Sequence, residues 1–301
     1  MIVNKQISCG DALTLSPVVA GCMRALDAHI HEDDFLQFVK GCLALGVDTF
    51  DHAPVYGGYG CEQFFGDAVL RREPALRSKM KLITKAGIVL PGTQGNKTIY
   101  YKSTKDEIAR ELDASLAKLG TDHVDLLLIH RPDILGDPAE TADALESVVK
   151  AGKALHVGVS NYTPAQMSAL QSYLSIPLVT NQVELSAKET GHFTDGTVDD
   201  AFQRRIPLMA WSPLGGGSIF HGTGEQAVRL RTCLTEIAAA HNVSLDVILY
   251  AWLFTHPVRI MAITGTMNLE RVKLAAQATA LTLSYDEWYQ ILEASRGYAV
   301  P

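Results

Sequence analysis

Eight short apolar runs, each followed by a stretch of helical period, succeed one another along this 301-residue chain. The runs are Val18 to Gly21, Asp48 to Asp51, Lys81 to Lys85, Val124 to His130, His156 to Ser160, Val179 to Glu184, Pro207 to Trp211 and Ile260 to Thr264. Strands alternating with helical segments read as βα units. Right-handed crossovers with short connections wind eight such units into a closed parallel sheet. The predicted fold class is α/β, a (β/α)8 TIM barrel. A hairpin is expected between about residues 6 and 15, with extra helices at Glu225 to His241, ahead of a helix at Ser244 to Thr255, and at Tyr285 to Ala294.

No Pro-, Ser- or charge-rich linker interrupts the pattern, so residues 1–301 are expected to form one domain. Hydrophobic residues make up 47% of the chain, which excludes disorder. Two helix starts stand out. Thr104-Lys105-Asp106-Glu107 and Thr163-Pro164-Ala165-Gln166 both have the spacing of a capping box, the second with proline where a missing N–H is harmless. Another helix is predicted from His31 to Leu45.

Composition narrows function by exclusion. The net charge of −7 disfavours a surface that neutralises phosphates, so no nucleic-acid partner is expected. No run approaches the roughly 18 apolar residues of a membrane helix, and Met1 to Gln6 lacks a charged end leading into an apolar segment, so a cytoplasmic protein with no membrane partner is expected. The five cysteines (Cys9, Cys22, Cys42, Cys61, Cys233) include no Cys-x-x-Cys pair and read as inert thiols. Rossmann, P-loop, nucleophile-elbow and zincin motifs are absent.

The connections that leave strand ends are long at Ala86 to Ser103, Leu185 to Val198 and Ser212 to Gly224. In such barrels the site lies on that C-terminal rim. Four titratable residues fall there: Asp51 ends the second barrel strand, Tyr56 sits in the next loop, Lys85 ends the third and His130 the fourth. A tyrosine of pKa about 10 is a slow acid, and a neighbouring ammonium is expected to draw it toward neutrality. Lys85 would supply that ammonium and Asp51 its counter-charge, while His130 would donate a hydrogen bond to a carbonyl oxygen. The set suits polarising a carbonyl and protonating its oxygen, with the reductant coming from a cofactor.

The second half offers nucleotide apparatus. Ser160, Asn161 and Gln182 suit a nicotinamide carboxamide, and Trp211 presents a face for stacking. The segment Ser212-Pro213-Leu214-Gly215-Gly216-Gly217 exposes backbone N–H groups able to wrap a pyrophosphate. Gly265 and Thr266 follow the last strand, at the usual phosphate corner of a barrel. Arg271, one turn into the next helix, is placed to pair with a ribose 2′-phosphate, which would favour NADPH over NADH.

At these positions the chain resembles the aldo-keto reductase superfamily, in particular its bacterial YdhF-type reductases. The likeness rests on Thr49-Phe50-Asp51-His52-Ala53-Pro54-Val55-Tyr56-Gly57, Ile83-Thr84-Lys85, Leu119 through Asp133, Gly158-Val159-Ser160-Asn161-Tyr162, Thr180-Asn181-Gln182-Val183-Glu184 and Ala210-Trp211-Ser212-Pro213-Leu214. Such a resemblance implies reduction of an aldehyde or ketone with NADPH, with Tyr56 as proton donor. It further implies that Lys85 and Asp51 tune Tyr56, that His130 orients the carbonyl, and that Gly21 and Met23 line the near side of the cleft. Two departures stand out: Met23 occupies a position the family often gives to an aromatic residue, and Leu274-Ala275 stands where it often has Glu-Asn.

Three other readings compete with the reductase. One is a cofactor-sensing or partner-binding barrel with little catalysis. Another is a metal site built from His29 and His31 with His130 and Asp51, though exposed histidines are the simpler account, so no metal is expected. The third is a Schiff-base lyase on Lys85, which the adjacent carboxylate disfavours. The physiological substrate and the oligomeric state are left open by the sequence.

Overall fold

A computed structural model describes residues 3, 6–10 and 12–299. Twelve strands and eleven α-helices follow in order: β1 (Ile7–Cys9), β2 (Leu13–Leu15), β3 (Val18–Gly21), α1 (Glu32–Ala44), β4 (Thr49–Asp51), α2 (Cys61–Phe65), β5 (Lys81–Ala86), β6 (Ile88–Val89), β7 (Tyr100–Tyr101), α3 (Lys105–Leu119), β8 (Val124–Ile129) and α4 (Pro138–Lys150). Then come β9 (Ala154–Ser160), α5 (Pro164–Gln171), β10 (Leu178–Glu184), α6 (Thr197–Arg204), β11 (Leu208–Trp211), α7 (Ser218–His221), α8 (Glu225–His241), α9 (Leu245–Thr255), β12 (Ile260–Thr264), α10 (Leu269–Ala278) and α11 (Tyr285–Arg296).

Eight of the strands close a parallel barrel in the order β3, β4, β5, β8, β9, β10, β11, β12, with β12 pairing back onto β3. These are the eight runs read from the sequence. Strand alternation sorts their side chains into two cores. Val19, Ile83, Leu126, Leu128, Met209, Met261 and Ile263 point inward and meet Cys9, Leu13 and Leu15 of the β1–β2 hairpin. Their neighbours Val18, Phe50, Leu82, Leu127 and Val159 point outward and pack with the helices. The hairpin therefore plugs one end of the barrel with apolar side chains, leaving the other rim open.

The helices start where the caps direct. Thr163 and Gln166 form the expected capping box on α5, and His31 caps α1 by accepting the Asp33 N–H on Nδ1. Thr104 does not behave as predicted: it stands at the N-cap of α3, but its side chain makes no capping bond. Glu107, the other half of that box, is buried and bonds Gln94 and Arg110 instead. A competing partner has taken the carboxylate that the reciprocal cap required. The long connection after β5 also carries an unexpected two-stranded ribbon, β6 with β7.

Among the described residues, no single helix is long and apolar enough to cross a membrane. Only α8 and α9 taken together meet that test, and they are bent by 91°. Most of α9 is buried within the protein.

Candidate active site

Inward-facing positions at the C-terminal ends of adjacent strands deliver the four rim residues to one corner. Ile83 faces the interior, so Lys85, two residues on, does too; Leu126 and Leu128 set the same phase for His130. His130 lies one residue beyond β8, held by its N–H to the Ala86 carbonyl at 2.8 Å. Asp51 ends β4, level with Ile83. Tyr56 is brought in by the turn after β4, in which its N–H bonds the Ala53 carbonyl and Gly57 and Gly58 take positive φ.

Lys85 is fully buried and spends its ammonium protons on a closed set of acceptors. These are Asp51 Oδ1 and Oδ2 at 2.8 and 2.7 Å, the His52 carbonyl at 2.9 Å and Tyr56 Oη at 3.0 Å. Because the Tyr56 oxygen accepts from Lys85, its own O–H is left to donate into the cleft. The His130 ring stands edge-on to Tyr56, with centroids 6.0 Å apart.

Electrostatics at this corner correct one expectation. Burial raises the Tyr56 hydroxyl above its ordinary pKa; the Lys85 ammonium opposes that and the Asp51 carboxylate reinforces it. Desolvation outweighs the cation, so the tyrosine is not drawn toward neutrality and remains firmly protonated. Burial also works against a charged Lys85, but Asp51 and Tyr56 more than offset it and hold the ammonium above its usual range. For His130, burial first, then Lys85 and Arg131, lower the pKa to about 2, which keeps the imidazole neutral.

Gln182 reaches the same corner through an irregularity. The pairing of β10 with β9 shifts register between Leu178 and Asn181, so that Val179 faces the interior and Val183 faces the helices. That bulge turns Gln182 inward, where its amide donates to Asp51 Oδ1 at 2.9 Å. Beside it, Ser160 Oγ donates to the Gln182 carbonyl at 2.9 Å, Asn161 Nδ2 donates to Ser160 Oγ at 2.7 Å, and Trp211 Nε1 donates to Asn161 Oδ1 at 3.0 Å. Asn161 adopts a left-handed backbone, φ +60°, which its short amide tolerates.

These groups line an elongated cavity of about 950 Å³ that runs from Tyr56 and His130 past Trp211 to Arg271. Gly21, Met23, Asp51, Ser160, Asn161, Gln182, Ser212, Leu214, Gly217, Gly265 and Thr266 all line it. Gly21 is needed for fit, since a Cβ there would come within 2.8 Å of Ile263. Gly215 is the exception. A Cβ on it would meet Lys188 and Ile219 rather than the cleft, and Gly216 lines the cavity in its place. The run Gly215-Gly216-Gly217 has three successive positive φ values, so its periodicity does not reveal which glycine faces inward.

Sequence reasoning missed several lining residues, among them Arg24, Arg131, Phe220 and Tyr250. Arg131 follows His130 directly and was detectable as a charge on the rim. Phe220 belongs to the short α7, inside what reads as a glycine-rich loop. His29 and His31 are exposed, and among the described residues no three His, Cys, Asp or Glu side chains gather as a metal site.

The cavity fits an extended dinucleotide. Backbone at Gly216, Gly217 and Gly265 is open, with no atom within 4 Å of where a Cβ would stand, and the Arg271 guanidinium makes no ion pair among the described residues. Ser160, Asn161 and Gln182 supply amide and hydroxyl groups between that end and the corner that holds Tyr56 and Lys85.

Comparison with known proteins agrees with this geometry. The profile of the aldo/keto reductase family matches residues 17–296. The chain is 42% identical to the uncharacterized oxidoreductase YcsN of Bacillus subtilis, over 99% of this chain and 100% of that protein. It is also 42% identical to oxidoreductase YdhF of Escherichia coli, over 95% of each. A 6-dehydroglucose reductase of Agrobacterium fabrum is 40% identical over 98% of this chain and 99% of its own length. Among solved structures, the thermostable aldo-keto reductase Tm1743 superposes with a TM-score of 0.80, covering 96% of this chain and 99% of that one at 23% identity, and so shares the fold. The chain belongs to the aldo/keto reductase family and is an NADPH-dependent oxidoreductase acting on carbonyl compounds.

Proposed function

We propose that Tyr56 is the proton donor in reduction of an aldehyde or ketone to an alcohol. The observation that carries this reading is the Lys85 to Tyr56 Oη hydrogen bond of 3.0 Å, closed behind by Asp51. A neutral, protonated tyrosine can give a proton to a carbonyl oxygen, and an adjacent ammonium stabilises the phenolate that remains. Neutral His130 donates a second hydrogen bond and fixes the carbonyl. NADPH, when bound, supplies the hydride. Ser160, Asn161 and Gln182 hold the carboxamide, and Trp211 offers its indole face to the ring.

At the far end, Gly216, Gly217, Gly265 and Thr266 accept the phosphates, and Arg271 takes the 2′-phosphate. This supports a preference for NADPH over NADH. We further infer that residues 1–301 act as a single domain, since the hairpin and the C-terminal helices pack on the same barrel.

The test is titration with NADPH and with NADH, followed by quenching of tryptophan fluorescence, and then by loss of cofactor absorbance against a panel of aldehydes and ketones. Tighter binding of NADPH with turnover on some carbonyl is the expected result. Binding without any turnover would favour a sensor instead, and no binding would overturn the assignment of the cleft.

A further inference from the structure

Arg131 is a charged side chain in the cleft that neither the catalytic corner nor the nucleotide end uses. It follows His130 at the exit of β8 and lines the cavity with Tyr56, His130 and Trp211. Its guanidinium carbon lies 5.8 Å from the Trp211 ring centre, over the indole, and the residue is half-buried.

Among the described residues, no carboxylate pairs with Arg131. Asp51 is committed to Lys85 and Gln182. Asp133, two residues on, accepts the backbone N–H groups of Ser103 and Leu135 at 3.0 and 2.9 Å. Asp27 and Asp246 line the cavity without forming an ion pair with it. A planar cation resting on an aromatic ring, partly removed from water and with its donors unspent, is a ready receptor for an oxyanion.

We propose that Arg131 is a specificity-determining residue that selects carbonyl substrates bearing an oxyanion, a carboxylate or a phosphate, a few bonds from the C=O. The inference rests on the assignment of Tyr56 and His130 as the groups that take the carbonyl oxygen, because the anion would sit beside them. Lysine at this position would keep the charge but lose the paired N–H donors and the guanidinium's position over Trp211.

The experiment measures kcat/KM at saturating NADPH for two matched pairs, 4-oxobutanoate with its methyl ester and glycolaldehyde phosphate with glycolaldehyde. The native enzyme is compared with Arg131→Gln and Arg131→Lys. The native enzyme should favour at least one anionic member, and the pair that responds separates carboxylate from phosphate. In Arg131→Gln that preference should fall by about 10- to 100-fold, mainly through KM, as loss of a charge-assisted hydrogen bond implies. Arg131→Lys should recover part of it, and the neutral members should change little.

The NADPH dissociation constant should be unaffected by Arg131→Gln. A rise matching the loss in kcat/KM would move Arg131 to the cofactor and overturn the proposal, as would equal losses for anionic and neutral substrates or no anion preference at the outset. Turnover of these substrates that survives Tyr56→Phe would overturn the catalytic assignment beneath it, and the proposal with it.

Discussion

The two ends of the cleft are built differently. Around Lys85 the groups are buried and bonded to one another: the ammonium reaches both Asp51 oxygens, Tyr56 and the His52 carbonyl, and Gln182 bonds Asp51 from across the barrel. Around Gly216, Gly217, Gly265 and Arg271 the backbone is open and the guanidinium unpaired among the described residues. One end has organised its polar groups before any ligand arrives; the other holds its donors in reserve. On the roles proposed above, the difference teaches that chemistry and affinity are separable here. Charge development needs fixed dipoles that do not reorganise during reaction. Grip on a polyanion needs donors not already satisfied.

Four perturbations would break or sharpen this contrast. The largest effect is expected for Tyr56→Phe, which removes the donated proton while sparing the ring. Reduction should slow by about 100-fold or more, with NADPH binding nearly intact by fluorescence titration; unchanged turnover would remove Tyr56 from its role. Lys85→Met should be felt in the fold as well as in the rate, because it strands Asp51 as an uncompensated buried charge. A loss of about 3–5 kcal/mol in denaturant unfolding is expected, and native-like stability would mean that the corner is less preorganised than its bonds imply.

Arg271→Gln should act only at the open end. The NADPH dissociation constant should rise about 10-fold or more, that for NADH should barely move, and the unfolding midpoint should stay put. Equal weakening of both cofactors would separate Arg271 from the 2′-phosphate.

The smallest effect is a pH profile with little slope. With Tyr56 in its proposed role, reduction requires the tyrosine protonated, and because its pKa is raised the rate should fall only as pH climbs beyond about 10, the ordinary tyrosine value. His130, lowered to about 2, is neutral throughout the accessible range and contributes no acid limb. An inflection near the ordinary histidine value in kcat/KM, abolished by His130→Gln, would show that the imidazole titrates and that the corner is wetter than described.

Much of this was legible in the chain because strand period and rim position are local properties. Lys85 and His130 share the parity of their apolar neighbours, so knowing where β5 and β8 run also says which way those side chains point. What escaped depended on partners far away in sequence. Glu107 looked free to cap Thr104 but is held by Gln94 and Arg110. The inward turn of Gln182 depends on a bulge that no periodicity announces. Two-residue strands such as β6 and β7 are too short to have a period at all. The sign of the Tyr56 shift required knowing how deeply the hydroxyl is buried, since the cation beside it was already evident.

The seam between β12 and β3 has a consequence for how the protein comes into being. It joins the first barrel strand to the last, and Gln182 joins Asp51 across a separation of 131 residues. Pairings this remote form late, after loop closure has been overcome. A chain emerging from the ribosome can collect its Asp51, Tyr56, Lys85 and His130 early, yet the barrel that presses them together is incomplete until nearly the whole sequence is available. Activity should therefore appear abruptly with the final strand, and truncations lacking β12 should expose apolar edges that aggregate rather than retain partial catalysis.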